Sequence, residues 1–264
     1  MPTVELSSID IAYERSGSGK RVLFLNGSGA TMAMSAPLIR TFAKRFDVLA
    51  HDQRGIGRST SVDAAYEMCD VAADALALAD HVGWDRFRVV GVSFGGMVAQ
   101  ELAVTAPARV ERLTLMCTSP GGAGGSSYPL HELSALSPEE SAKRRIGLLD
   151  SRFTAEWLAE HERDRLLVEA MGERTMNDKS PETMLGVRLQ LDARSRHDVF
   201  QRLPRVTCPT LVAAGRYDGI APPRNAEAIA AQVPKAELRM YEGGHAFFYQ
   251  DPRALTEIVD FLDA

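Results

Sequence analysis

The stretch Arg88-Val-Val-Gly91-Val-Ser93-Phe94-Gly95-Gly96-Met-Val-Ala-Gln-Glu-Leu-Ala103 joins two patterns that do not continue one another. Its first half is a short apolar run rich in β-branched valines and reads as a buried strand. Its second half reads as an amphipathic helix. Between them lies Gly91-x-Ser93-x-Gly95, whose small residues let the chain turn sharply and pack closely. Ser93 is then held in a strained conformation at the strand end. The helix that follows aims its first N–H groups and the positive end of its dipole at charge developing near Ser93.

A serine hydroxyl is a poor nucleophile at neutral pH, so a base and a group that orients the base are required. Both follow in chain order. Asp218 comes just after the apolar run Thr210-Leu-Val-Ala-Ala-Gly215, and His245 just after Glu237 to Tyr241. Asp192 and Asp198 also precede His245. An acid placed after the run ending at Cys117 would fall in Cys117-Thr118-Ser119, which has no carboxylate.

Working outward, β-rich runs recur with helical patterns between them. They are Ser8 to Glu14, Arg21 to Leu25, Phe46 to Ala50, Phe87 to Val92, Arg112 to Cys117, Thr210 to Ala214 and Glu237 to Tyr241. Continuous apolar runs such as Val22-Leu-Phe-Leu25 imply burial on both faces, as in a parallel sheet covered by helices. The fold class is therefore doubly wound α/β. From Pro120 to about Arg205 the rhythm breaks, with helical segments opening at Ser137-Pro138-Glu139-Glu140 and Ser180-Pro181-Glu182. In the first, Ser caps, Pro takes the first turn and Glu140 completes a capping box.

Composition narrows the classes. A length of 264 residues suits one large domain, or one domain with an insertion. A formal charge of −5 supplies no basic surface, which argues against nucleic acid and anionic membrane as partners. Three scattered cysteines, Cys69, Cys117 and Cys208, make neither a disulfide framework nor a CxxC metal site and are expected as buried thiols. The start Met1-Pro-Thr-Val-Glu5 has no basic segment followed by an apolar one, so a cytoplasmic protein is expected. Nothing in the sequence sets an oligomeric state.

The run Val22-Leu-Phe-Leu25 ends in Asn26-Gly27-Ser28-Gly29, which invites a phosphate-loop reading with Asp52 as a ribose acid. Met32 stands where a dinucleotide fingerprint wants a small residue, and no Lys followed by Ser or Thr completes a Walker loop.

These pieces together resemble the α/β-hydrolase superfamily. The matching segments are the Gly91 to Gly95 elbow, Asp52-Gln-Arg-Gly-Ile-Gly-Arg-Ser59, and Cys208-Pro-Thr-Leu-Val-Ala-Ala-Gly-Arg-Tyr-Asp218-Gly-Ile-Ala-Pro222. Within it the chain is most similar to the bacterial branch of 3-oxoadipate enol-lactonases, small esterases and cofactor-free haloperoxidase-like proteins. The resemblance covers nearly the whole chain. It implies a mostly parallel eight-stranded sheet, a core of residues 1–119 and 206–264, and a helical cap of residues 120–205 inserted between the sixth and seventh strands. It implies catalytic Ser93, Asp218 and His245, and oxyanion donors in the backbone N–H groups of Ser28 and Phe94. Asn26 stands where the family usually has His, and Asp52 becomes a turn residue.

For the substrate, Arg144, Arg145 and Arg188 are candidates to pair a carboxylate, against the ordinary role of such residues as solvated charge. Met116, Trp157, Phe247 and Phe248 are candidates for the pocket wall, against a plain core role. His51, His81, His131, His161 and His197 show no metal-ligand spacing and are expected on the surface or hydrogen bonded in structural roles. No cofactor and no metal are expected. The expected activity is hydrolysis of a small carboxylic ester or lactone. Perhydrolysis or C–C bond hydrolysis with the same residues, and a non-enzymatic receptor, are the alternatives.

Overall fold

The structure, a computed structural model of the chain, describes residues 2–6, 9–175 and 180–264. Among the described residues, eight strands form one sheet: β1 (Thr3–Leu6), β2 (Ile9–Gly17), β3 (Lys20–Leu25), β4 (Phe46–His51), β5 (Phe87–Val92), β6 (Val110–Met116), β7 (Thr210–Gly215) and β8 (Ala236–Tyr241). Their order is β1-β2-β4-β3-β5-β6-β7-β8. The β1/β2 and β2/β4 pairs are antiparallel and all the others parallel. The strand expected over Ser8 to Glu14 runs on to Gly17, and Ser8 lies outside the described residues. β1 is absent from the seven runs read in the sequence and supplies the eighth strand that the resemblance implies. Its four residues alternate between exposed and half-buried at the sheet edge, too short and too polar to register as a periodic run.

The helices are α1 (Met32–Ala43), α2 (Met68–His81), α3 (Phe94–Thr105), α4 (Pro138–Leu149), α5 (Ala155–Glu160), α6 (Glu162–Thr175), α7 (Pro181–Ser195), α8 (Pro223–Gln232), α9 (Phe247–Gln250) and α10 (Ala254–Asp263). Strand residues alternate between two layers, as the two-residue period of a strand requires. Val22 and Phe24 pack in the cluster that holds α1 and α10, with Phe42 and Ile258. Leu23 and Leu25 pack in the cluster of α2, α3 and α8, with Leu78, Leu102 and Ile229. Burying both faces is what makes these strands read as continuous apolar runs.

α3 departs from the amphipathic expectation, because every residue from Phe94 to Val104 is buried. Its polar residues are partly satisfied inside, with Gln100 Oε1 and Glu101 Oε2 buried and without a partner among the described residues. Gln100 donates to the Gly96 and Ser119 carbonyls, and Glu101 accepts from Arg202 at 2.8 Å. Cys117 and Cys208 are buried, whereas Cys69 at the start of α2 is exposed, since it points away from the packed side of that helix.

Among the described residues no strand lies between β6 and β7. That stretch carries α4 to α7 and a single bridge between Gly121 and Asp198. Both expected caps form. Ser137 accepts from the Glu140 N–H while Glu140 accepts from the Ser137 N–H, and Ser180 accepts from the Thr183 N–H. No described helix is long and apolar enough to cross a membrane.

The topology fixes where chemistry can sit. From β3 the chain moves to β4 on one side, while β5 joins β3 on the other. The loops after β3 and β5 therefore diverge and leave a crevice at the carboxyl ends of the strands.

Candidate active site

Ser93 follows β5 at that crevice with φ 55° and ψ −113°, one of two described non-glycine residues with positive φ. This conformation is sterically costly for an L-residue and must be imposed by its surroundings. Its N–H donates to the Met116 carbonyl at 2.8 Å, and its carbonyl accepts from Gly96 N–H at 2.9 Å and the Thr118 hydroxyl at 2.7 Å. The flanking glycines are required by contact. A Cβ on Gly91 would lie 2.4 Å from the Gly95 carbonyl oxygen, and one on Gly95 would lie 2.1 Å from that of Leu25.

The loops after β7 and β8 bring two further groups to Ser93. His245 Nε2 lies 2.9 Å from Ser93 Oγ, and His245 Nδ1 lies 2.8 Å from Asp218 Oδ2. An ionised carboxylate only accepts, so Nδ1 carries the proton and Nε2 presents its lone pair to the serine hydroxyl. The other carboxylate oxygen, Asp218 Oδ1, accepts from the Ile220 and Ala221 N–H groups, both at 2.8 Å. The carboxylate is thus fully engaged and buried. Asp198, by contrast, is exposed and accepts from the Phe200 N–H.

The loop Asn26 to Gly29 faces the elbow. A Cβ on Gly27 would sit 3.7 Å from Ser93 Cβ. Within the loop, Ala30 N–H donates to the Gly27 carbonyl and Gly29 N–H to Gln190 Oε1. The Ser28 and Phe94 N–H groups have no acceptor among the described residues. Asp52 Oδ1 accepts from Met32 N–H at 2.6 Å at the start of α1, and Oδ2 from Arg58 N–H at 3.1 Å. Burial pushes its carboxyl above the usual range against the pull of these two donors. Both of its oxygens are engaged in holding the turn.

Two contacts across the helical stretch were not foreseen. Gln190 on α7 accepts from Gly29 N–H at 2.8 Å and donates at 2.7 Å to Gln53, which donates in turn to the Asn26 carbonyl at 3.1 Å. At the end of α4, the Leu148 carbonyl accepts from Gly219 N–H and the Leu149 carbonyl from His245 N–H. A signal for the first existed in the sequence. Gly186, Leu189, Gln190, Ala193 and Arg194 share one face by their spacing, and all are buried.

Arg188 lies off that face and is exposed. Arg144 and Arg145 are also exposed, with Arg144 lying over the Tyr128 ring. Met116 and Phe247 are wholly buried in the core cluster of α1 and α10, where Phe247 stacks on Tyr241 with ring centroids 5.1 Å apart. Phe248 packs in that same cluster. Trp157 stacks on His161 and donates to Asp164, inside the small cluster of Leu149 and Phe153. His51 is not exposed, and among the described residues its ring makes no hydrogen bond. Both ring nitrogens are buried without a partner, and burial pulls its pKa from 6.5 down to about 4.

A sheet with this strand order, carrying a serine elbow after β5 and an acid and a histidine after β7 and β8, defines the class of α/β hydrolases. A family model for the alpha/beta hydrolase fold matches residues 20–252, and the chain belongs to that family. It is 30% identical over 266 residues to the protein named "Putative carbamate hydrolase RutD" of Variovorax paradoxus, with 95% of each chain covered. Among solved structures it resembles a hydrolase from Pseudomonas aeruginosa at TM-score 0.82 and 28% identity, covering 100% of this chain and 98% of that one. The enol-lactonase of Burkholderia xenovorans shares the fold at TM-score 0.81 and 21% identity, with 100% of both chains covered.

Proposed function

We propose that the chain is a serine hydrolase that cleaves a small carboxylic ester or lactone through an acyl-enzyme. The observation that carries this reading is the hydrogen-bonded row from Ser93 Oγ through His245 to Asp218, with links of 2.9 and 2.8 Å. Ser93 Oγ attacks the carbonyl carbon while His245 Nε2 takes its proton. Asp218 holds the ring in the tautomer that leaves Nε2 free to do so. The carbonyl oxygen becomes an oxyanion held by the Ser28 and Phe94 N–H groups, with the positive end of α3 behind the second. Collapse expels the alcohol oxygen, which takes the proton from Nε2. Water then repeats the sequence on the acyl group, releasing the acid and restoring Ser93. Residues 120–205 serve as the cap over this crevice.

The chemistry uses only side chains and backbone amides of the chain. It acts equally on a carbamate carbonyl, the group named for the Variovorax relative, so carbamates belong in the test panel. Ser93→Ala should leave the fold intact while ester turnover falls by about 10^6. Asp218→Asn should cost about 10^4, because the ring is presented in the wrong tautomer. A fluorophosphonate should label Ser93 alone. Saturable ester binding without turnover would instead make the protein a receptor, and labelling at another residue would move the nucleophile.

A further inference from the structure

The inward face of α7 ends in a cation with no anion. Arg194 is 7% exposed, and its Nη1 donates to the Tyr128 carbonyl at 2.9 Å. Its Nε and Nη2 are buried and have no partner among the described residues. The carboxylate whose field it feels, Asp218, is already engaged by His245, Ile220 and Ala221. Burial pulls the guanidinium from 12.5 down to about 10, so it stays charged at neutral pH. Enclosing an unpaired cation is strongly unfavourable, and packing does not require one, since Met or Leu would fill similar space. A group that leaves two donor nitrogens of a planar fork unused in a buried setting is matched to a ligand carboxylate.

Arg194 lines a cavity of about 290 Å³ together with Met97, Ser119, Ser126, Ser127 and His197. That is near the lower end of small-molecule pockets. Two of its walls belong to segments bonded to the elbow. Met97 N–H bonds the Ser93 carbonyl, and Ser119 follows Thr118, whose hydroxyl bonds the same carbonyl. Its floor is fixed, because Asn225 donates to Ser119 Oγ at 2.8 Å and Ser119 Oγ lies 2.6 Å from Ser127 Oγ. Burial holds His197 neutral, with its pKa down to about 3, so it adds no second charge.

We propose that this cavity seats a carboxylate of the substrate on the Arg194 fork, so that the enzyme prefers half-esters of short dicarboxylic acids, or lactones bearing a carboxylate, over neutral esters. The proposal rests on the serine-hydrolase reading for its reaction, though not for its binding. It replaces the exposed Arg144 and Arg188 with a buried arginine as the specificity residue.

Two measurements test it. In the first, monomethyl glutarate and monomethyl adipate are compared with their neutral counterparts methyl pentanoate and methyl hexanoate by pH-stat. The wild-type ratio of kcat/KM should favour a half-ester by about 10- to 100-fold, the range for hydrogen bonds to a charged group, and should fall toward unity in Arg194→Met. In the second, calorimetry should find saturable binding of glutarate or adipate to the wild type, at least about tenfold weaker in Arg194→Met and intermediate in Arg194→Lys, which keeps the charge without the fork. Should the Met variant not fold, the wild-type ratio and wild-type binding still decide. Esters cleaved at equal rates with no dicarboxylate binding would overturn the anion site and leave Arg194 as a counter-charge to Asp218, with the hydrolase reading intact. Dicarboxylate binding through Arg194 with no ester cleaved would uphold the site and sink the hydrolase reading.

Discussion

Ser93 is costly where it stands, and the cost can be measured. Its φ of 55° with ψ −113° lies where L-residues pay about 1 to 3 kcal/mol and glycine pays little. Ser93→Gly, which removes the Cβ, should therefore raise the unfolding free energy by about 1 kcal/mol, net of the extra chain entropy glycine brings, in a urea titration. Ser93→Ala, which keeps the Cβ, should leave it within about 0.5 kcal/mol. A less stable Ser93→Gly would show that the elbow is not strained. Ser28 gives a second check. Its hydroxyl is buried without a partner among the described residues, so Ser28→Ala removes an unsatisfied group while keeping the backbone donor. The variant should be at least as stable as the wild type and lose less than about tenfold in kcat, whereas a lost oxyanion donor costs about 10^2 to 10^3. Serine, aspartate and histidine were legible in the sequence because their chemistry permits few substitutes and each follows a β-rich run. The structural part of Asn26 was not legible, since its backbone carbonyl accepts from Gln53 and its Nδ2 donates to the His51 carbonyl, contacts that only the fold brings together.

Among the elements, α7 links the helical stretch to the crevice. Gly186 sits so close that a Cβ there would lie 1.8 Å from the Gly55 carbonyl oxygen, and Val187 packs against Gly29. Gln190 then joins Gly29 to Gln53. Gln190→Ala would strand the Gly29 N–H and the Gln53 carbonyl oxygen inside the protein. That should cost about 1 to 3 kcal/mol of stability. If the loop also positions Ser28, kcat should fall about tenfold or more with KM for a neutral ester little changed, because the oxyanion forms only after binding. Arg188→Ala, on the outer face of the same helix, should change stability by no more than about 0.5 kcal/mol. A Gln190→Ala enzyme with normal kcat would make the link purely structural. The helical nature of this stretch was legible from its caps, Ser137 and Ser180. The inward face of α7 was not singled out, because Gln190 and Arg194 are polar residues on a buried stripe and a hydrophobic pattern passes over them. The seam at the end of α4 is invisible to any reading of side chains, being made by the Leu148 and Leu149 carbonyls.

On the scale of the whole molecule, the layering of the sheet was readable because strands buried on both faces carry continuous apolar runs, whereas the edge strand β1, half in solvent, leaves no such run. The same double coverage encloses imidazoles that must stay neutral, and this sets how the fold responds to acid. His51 at the end of β4 and His197 between α7 and β7 are both buried, and their pKa values fall from 6.5 to about 4 and about 3. Between these values and 6.5 the unfolded chain binds protons that the folded chain refuses. Stability therefore rises with pH across this window, is fully present above 6.5, and is lost as pH falls toward 4. Each histidine contributes about 1.4 kcal/mol per pH unit there. Asp52 and Asp74 act in the opposite sense, since burial raises both carboxyls. Urea unfolding should accordingly show the protein about 2 to 3 kcal/mol less stable at pH 5.5 than at pH 7.5. His51→Gln, which cannot take the proton, should remove roughly half of that difference at whatever baseline stability it has. A wild-type midpoint that does not move between the two pH values, or a His51→Gln protein with an undiminished shift, would mean that water reaches these rings in the folded state and that the covering of the sheet is looser than its packing implies.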